Sequence, residues 1–222
     1  ATNEQVHSIT IDQGWLKAMS FSPDGNTLMV VAQTGGLILL NTTNFEITGN
    51  IPLGEIDLRN VVMFSTDGTY MGINKDFEDP DLYIWDTSNF EEPITLTQTN
   101  NDTDNFAFSP DNTTIAVSRQ NLDMEIPGEL QLWDIPGRKM FYSKQLDYTS
   151  SDVLTGYYVT ITFSPDGKTL AYTGGEYFNL LNIDTKQIIP FETTEDRKRF
   201  NVSTIVFSPD GTQIAVSITD FA

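Results

Sequence analysis

Phe21-Ser22-Pro23-Asp24-Gly25 returns unchanged at Phe163 to Gly167 and at Phe207 to Gly211, and its spacing decides how the rest of the chain is read. Two relaxed copies, Phe64-Ser65-Thr66-Asp67-Gly68 and Phe108-Ser109-Pro110-Asp111-Asn112, fill the gaps, so the Phe anchors stand 43, 44, 55 and 44 residues apart. Each copy reads as a turn. Pro presets φ for the second position of a type I turn, and Gly supplies the positive φ that leads into the next strand, with Asn112 the tolerated substitute. The aspartates Asp24, Asp67, Asp111, Asp166 and Asp210 are therefore expected to accept local backbone hydrogen bonds and to serve the turns rather than a ligand.

The segments around each turn read as strands. Asn105 to Phe108 and Val159 to Phe163 lead in with apolar or neutral groups on both faces, the pattern of a sheet covered on both sides. Seven residues after each Phe comes Leu28, Met71, Ile115, Leu170 or Ile214, and nine after comes Val30, Ile73, Val117, Tyr172 or Val216. The position between them is small in four repeats (Gly72, Ala116, Ala171, Ala215), which suits the close approach of a neighbouring sheet; Met29 is the exception. A third strand follows at Leu37 to Leu40, Leu82 to Trp85, Leu130 to Trp133 and Phe178 to Leu181. A more polar fourth comes at Phe45 to Pro52, Ile94 to Thr97, Met140 to Leu146 and Gln187 to Phe191. Four strands per repeat of this length make one blade of a β-propeller.

Leu82-Tyr83-Ile84-Trp85-Asp86 and Leu130-Gln131-Leu132-Trp133-Asp134 then place two Trp-Asp pairs in phase with the turns, and on these the chain resembles the WD-repeat family over essentially its whole length. The resemblance implies an all-β propeller, with Trp85 and Trp133 as structural core. It is a divergent, bacterial-like version, for which TolB-type propellers are relatives. The other repeats read Leu40-Asn41 and Leu181-Asn182, and His7 is the only histidine, so the family's His-to-Trp hydrogen-bond network has no counterpart; stability is expected from packing and backbone ladders. The chain is read as one domain over residues 1–222, or the N-terminal part of one. Its blades lie at about 15–53, 58–97, 103–147 and 157–192, an incomplete fifth at 201–222, and a clasp strand at 5–11. Four complete blades and part of a fifth do not close a circle. The expected assembly is a seven-bladed ring, closed by missing residues of the same chain or by a second chain.

With 222 residues, 12 Lys+Arg, 31 Asp+Glu and a formal charge of −19, the chain is strongly acidic. That argues against nucleic acid, whose phosphates recruit clustered cations. The chain has no cysteine and no apolar run of membrane-spanning length, so thiol chemistry and membrane insertion are not expected. For catalysis there is one histidine, no Gly-x-Ser-x-Gly elbow and no phosphate-binding glycine loop, and an enzyme is not expected. Compartment is weakly constrained, with an extracytoplasmic bacterial location slightly favoured over the cytoplasm.

Function is sought on the rim that carries the loops of variable length. The expected role is a noncatalytic scaffold for a protein or peptide partner, with Trp15, Arg119, Tyr157 and Arg199 as candidate anchors. The competing reading is a ligand-binding or catalytic propeller that holds a metal or sugar at the channel mouth through carboxylates such as Asp76, Asp79 and Asp104. No cofactor is expected otherwise. If a metal binds, calcium is the candidate, with Asp76, Glu78, Asp79 and Asp81 as ligands from one short acidic loop. A third reading makes the chain a sensor or repeat domain of a larger protein.

Overall fold

Short apolar runs separated by Asp-Gly and Asn-rich turns leave the chain little choice but antiparallel hairpins, in which sequence neighbours become sheet neighbours. The computed structural model describes residues 8–12, 14–34, 36–52, 62–74, 81–97, 101–121, 127–149, 159–174, 177–191 and 200–220. Among these the protein is all-β, without a helix. The first sheet has the order β1 (Leu16–Phe21), β2 (Thr27–Ala32), β3 (Gly36–Asn41), β4 (Ile47–Ile51), and the second β5 (Val62–Phe64), β6 (Tyr70–Asn74), β7 (Leu82–Asp86), β8 (Ile94–Leu96). The third runs β9 (Asn101–Phe108), β10 (Thr114–Asn121), β11 (Pro127–Asp134), β12 (Lys139–Thr149). The fourth runs β13 (Ile161–Phe163), β14 (Thr169–Gly174), β15 (Tyr177–Asn182), β16 (Ile188–Phe191). β17 (Phe200–Phe207) and β18 (Ile214–Asp220) form a two-stranded sheet. Of the expected clasp strand at 5–11, residues 5–7 lie outside the described residues, and Ser8 to Ile11 carry no strand pairing.

The chain divides into two compact units, residues 1–79 with 83–93 and residues 80–82 with 94–222. In the first unit the core is the meeting of two sheet faces. Met29, Val31, Leu37 and Leu39 pack with Met71, Ile73 and Trp85, and the Tyr83 and Trp85 rings stack with centroids 5.9 Å apart. In the second unit Ala116, Leu130, Leu132 and Leu146 pack against Ile161, Phe163, Leu170 and Tyr172, and Ala171 and Phe178 against Val202 and Ile205. Ala116 and Ala171 are fully buried. Their small side chains let the next sheet's bulky ones approach.

The five turns share one hydrogen-bond knot. The Ser after each anchor Phe donates its hydroxyl to the turn Asp at 2.5–2.9 Å (Ser22–Asp24, Ser65–Asp67, Ser109–Asp111, Ser164–Asp166, Ser208–Asp210). The same Asp Oδ1 accepts the backbone N–H two residues on at 2.8–3.1 Å. The same Ser Oγ accepts the backbone N–H five residues on at 2.9–3.0 Å. The fifth turn residue has positive φ in every copy, and Asn112 at 58° does the work of glycine.

Gly25 and Gly68 hold nearly the same φ, 72° and 78°, yet differ in what surrounds them. A Cβ on Gly68 would meet Pro23 Cδ at 3.1 Å, whereas around Gly25 there is nothing within 4 Å. Gly25→Ala is expected to cost the backbone penalty alone, about 1–2 kcal/mol. Gly68→Ala should cost about 1 kcal/mol more through the forced contact. Urea unfolding of both variants checks this, and equal midpoint shifts would show that Pro23 yields freely.

Candidate functional site

The carboxylates that repeat along the chain are committed to local bonds. Asp24, Asp111, Asp166 and Asp210 are held below the ordinary aspartate range, first by the Ser22, Ser109, Ser164 and Ser208 hydroxyls and then by turn N–H groups. Asp67 is lowered first by the Thr69 hydroxyl. A lowered folded-state pKa contributes stability that is present above the unfolded value, about 3.9, and is lost as pH falls through the folded value. The melting temperature is therefore expected to fall as the pH drops below about 4. Asp111→Asn should be less stable than wild type at neutral pH and converge with it in acid. A constant difference across that range would mean that the charge of Asp111 does not matter to the turn.

The acidic-loop candidates Asp76, Glu78 and Asp79 lie outside the described residues. The fourth, Asp81, is half-buried, and its Oδ2 accepts the Thr97 hydroxyl at 2.9 Å. Asp104 lies in β9. Among the described residues no group of three or more His, Cys, Asp or Glu side chains is placed to hold a metal ion. Of the proposed anchors, Tyr157 and Arg199 also lie outside the described residues.

Trp15, just before β1, is 74% exposed, as a contact residue must be. Arg119 corrects the reading of it as a rim anchor, because it is fully buried. Its position in β10 turns the side chain into the sheet stack, where Nε donates to Gln131 Oε1 at 3.1 Å and Nη2 to the Leu96 carbonyl at 2.6 Å. Gln131 Oε1 also accepts Trp133 Nε1–H at 2.9 Å, and Gln131 Nε2 donates to Glu129 Oε2 at 2.7 Å. Ser143 Oγ donates to the other oxygen of Glu129. A buried guanidinium needs acceptors, and this chain of polar side chains supplies them. Trp85 is buried as expected of core, while Trp133 is half-buried.

The most open apolar surface lies elsewhere, on the first sheet. Ile9, Trp15, Leu16, Met19, Phe21 and Ile47 are six of the nine large apolar side chains that stand exposed among the described residues. Beneath them Val30, Ala32, Ile38 and Leu40 form a buried cluster, with Ile11 packed against it. A groove of about 580 Å³ opens between Ile9, Met19, Phe21, Leu28 and Phe45. Sequence reading treated Phe21, Leu28 and Val30 as ordinary interior positions, because in the repeat pattern they are. Of the three, Phe21 is exposed, Leu28 half-buried and Val30 buried, and nothing in the repeat pattern signals the exposure of Phe21.

No protein-family model matches the chain, and no curated protein is significantly similar to it.

Proposed function

We propose that the chain is a noncatalytic interaction module, a divergent WD-repeat-like propeller whose four-stranded sheets are its blades and whose first sheet offers an apolar surface to a protein partner. The observation that carries this reading is the exposure of Leu16, Met19 and Phe21 at one sheet, along a mostly apolar groove, with the exposed Trp15 beside them in sequence. Contiguous apolar surface on a folded protein marks a contact site, and strands locked by ladder hydrogen bonds lose little freedom when a partner docks. Aromatic anchors on such a surface supply most of the binding energy.

The test is affinity capture from the source cell's extract with wild type and with Met19→Asp. The expected result is a stoichiometric protein retained by wild type and lost with the variant. Equal recovery with both would overturn the reading. So would a melting temperature that rises with calcium and falls with EDTA, since a ligand bound only by the native state stabilises it by mass action.

A further inference from the structure

The turns share a shape but not a chemical vulnerability. Asp-Gly occurs four times in the sequence, at Asp24-Gly25, Asp67-Gly68, Asp166-Gly167 and Asp210-Gly211, and every occurrence lies in a turn. An Asp-Gly bond is prone to rearrange because glycine has no side chain to shield its nitrogen. That nitrogen attacks the aspartyl Cγ, the Cγ–N bond forms as a Cγ–O bond breaks, and the amide proton leaves with the carboxyl hydroxyl as water. Water then opens the five-membered imide at the former main-chain carbonyl, and the chain continues through Cβ and Cγ as isoaspartate. Nothing is oxidised or reduced, and water is the one co-reactant.

The folded turn blocks the first step. Gly25, Gly68, Gly167 and Gly211 each donate their N–H to the carbonyl of the turn's Ser at 2.8–2.9 Å. The aspartate before each has negative φ, so the turn is type I, with ψ close to zero at the aspartate. At that ψ the glycine nitrogen eclipses the aspartate's own nitrogen, and Cβ stands a third of a turn away from where ring closure needs it. The donors also keep the carboxylate ionised, the Ser164 hydroxyl foremost at Asp166, so that it lacks the hydroxyl that must leave. Isomerisation therefore proceeds from the opened turn, at a rate set by how often the knot opens.

The knots are not equally tied. Besides the Ser hydroxyl and the N–H two residues on, Asp24 has the Asn26 amide at 2.8 Å, Asp67 the Thr69 hydroxyl at 2.6 Å and Asp210 the Thr212 hydroxyl at 2.9 Å. Asp166 has two donors among the described residues, the Ser164 hydroxyl at 2.6 Å and the Lys168 N–H at 3.1 Å, because a lysine stands where the other copies have a short polar side chain. It is also exposed, so water reaches the imide. We infer that Asp166-Gly167 is a site of spontaneous covalent modification, the first of the four bonds to become isoaspartate, and that the fuller knots hold the other three back. The product accumulates, because its free carboxylate is one carbon shorter and its main chain one carbon longer than the knot requires.

Peptide mapping of the purified chain, kept folded at neutral pH and physiological temperature and sampled over weeks, tests this. A protease that cuts before aspartate but not before isoaspartate, read by mass spectrometry, reports on each bond. In the folded chain isoaspartate is expected first at Asp166; in urea, with every knot open, the four bonds should isomerise at similar rates. Ser164→Ala should speed Asp166 by ~10-fold or more, the loss of one hydrogen bond to a charged group. Lys168→Thr supplies the hydroxyl that Thr69 and Thr212 supply in their turns, and should slow Asp166 by ~3-fold or more. Acceleration of all four bonds by Ser164→Ala would mean that this variant unfolds, and Lys168→Thr then decides alone. Four results would overturn the inference: another Asp-Gly bond leading in the folded chain, the same lead for Asp166 in urea, a folded Ser164→Ala no faster than wild type, or Lys168→Thr no slower.

Discussion

Arg119→Ala is expected to destabilise the second unit by about 3–5 kcal/mol, from buried acceptors left short and a void left behind. Two effects add. The Leu96 carbonyl loses its 2.6 Å donor and Gln131 Oε1 its 3.1 Å donor, and a buried acceptor left short costs about 1–3 kcal/mol. The long side chain also leaves a void, since Arg119 is among the largest fully buried side chains among the described residues. Arg119→Met separates the two. It refills most of the volume without supplying a donor, so it should recover the void and keep the loss from the carbonyl. Urea unfolding with unchanged m measures both variants. A loss below about 1 kcal/mol for the alanine variant would mean that water enters and replaces the guanidinium.

The same residue shows where sequence reading stops. Arg119 falls in an insertion of the 55-residue repeat, and a cation in a long connection reads as surface. Burial came from register. In β10, Arg119 stands across from Glu129 in β11 and Thr103 in β9, so what read as loop is strand. The turns were legible because their chemistry is local: five residues contain the Pro, Asp and Gly, and the Ser–Asp bond spans two positions. The hairpin order and the small residues Gly72, Ala116, Ala171 and Ala215 were legible for a similar reason, since alternation and repeat phase are periodic properties of the sequence. Exposure of Phe21 was not, because it depends on what stands beside the first sheet rather than on anything within it. Phe163, in an identical pentapeptide, and Phe108, in a relaxed one, are both buried. The repeat pattern marks Phe21 as interior chemistry, and its exposure is legible only in the structure.

The two Trp-Asp strands carry this distinction into a measurable difference. Trp85 and Trp133 are equivalent in the repeat, yet Trp85 is buried within the cluster of Met29, Leu37, Met71 and Ile73 and stacks on Tyr83, while Trp133 is half-buried and ties its Nε1–H to Gln131. Trp85→Ala is expected to cost about 3–5 kcal/mol, the range for a fully buried large aromatic. Trp133→Ala should cost about 2 kcal/mol less, because part of its surface is already in water and Gln131 Oε1 keeps the Arg119 donor. The units provide an internal control, since Trp85 belongs to the first and Trp133 to the second. If the units unfold as separate transitions, Trp85→Ala lowers the midpoint of one and Arg119→Ala that of the other; if they unfold together, both variants move a single midpoint. Far-UV circular dichroism and tryptophan emission, followed through urea unfolding, read these outcomes. Equal losses for the two tryptophan variants would show that repeat position, rather than burial, sets what each side chain contributes.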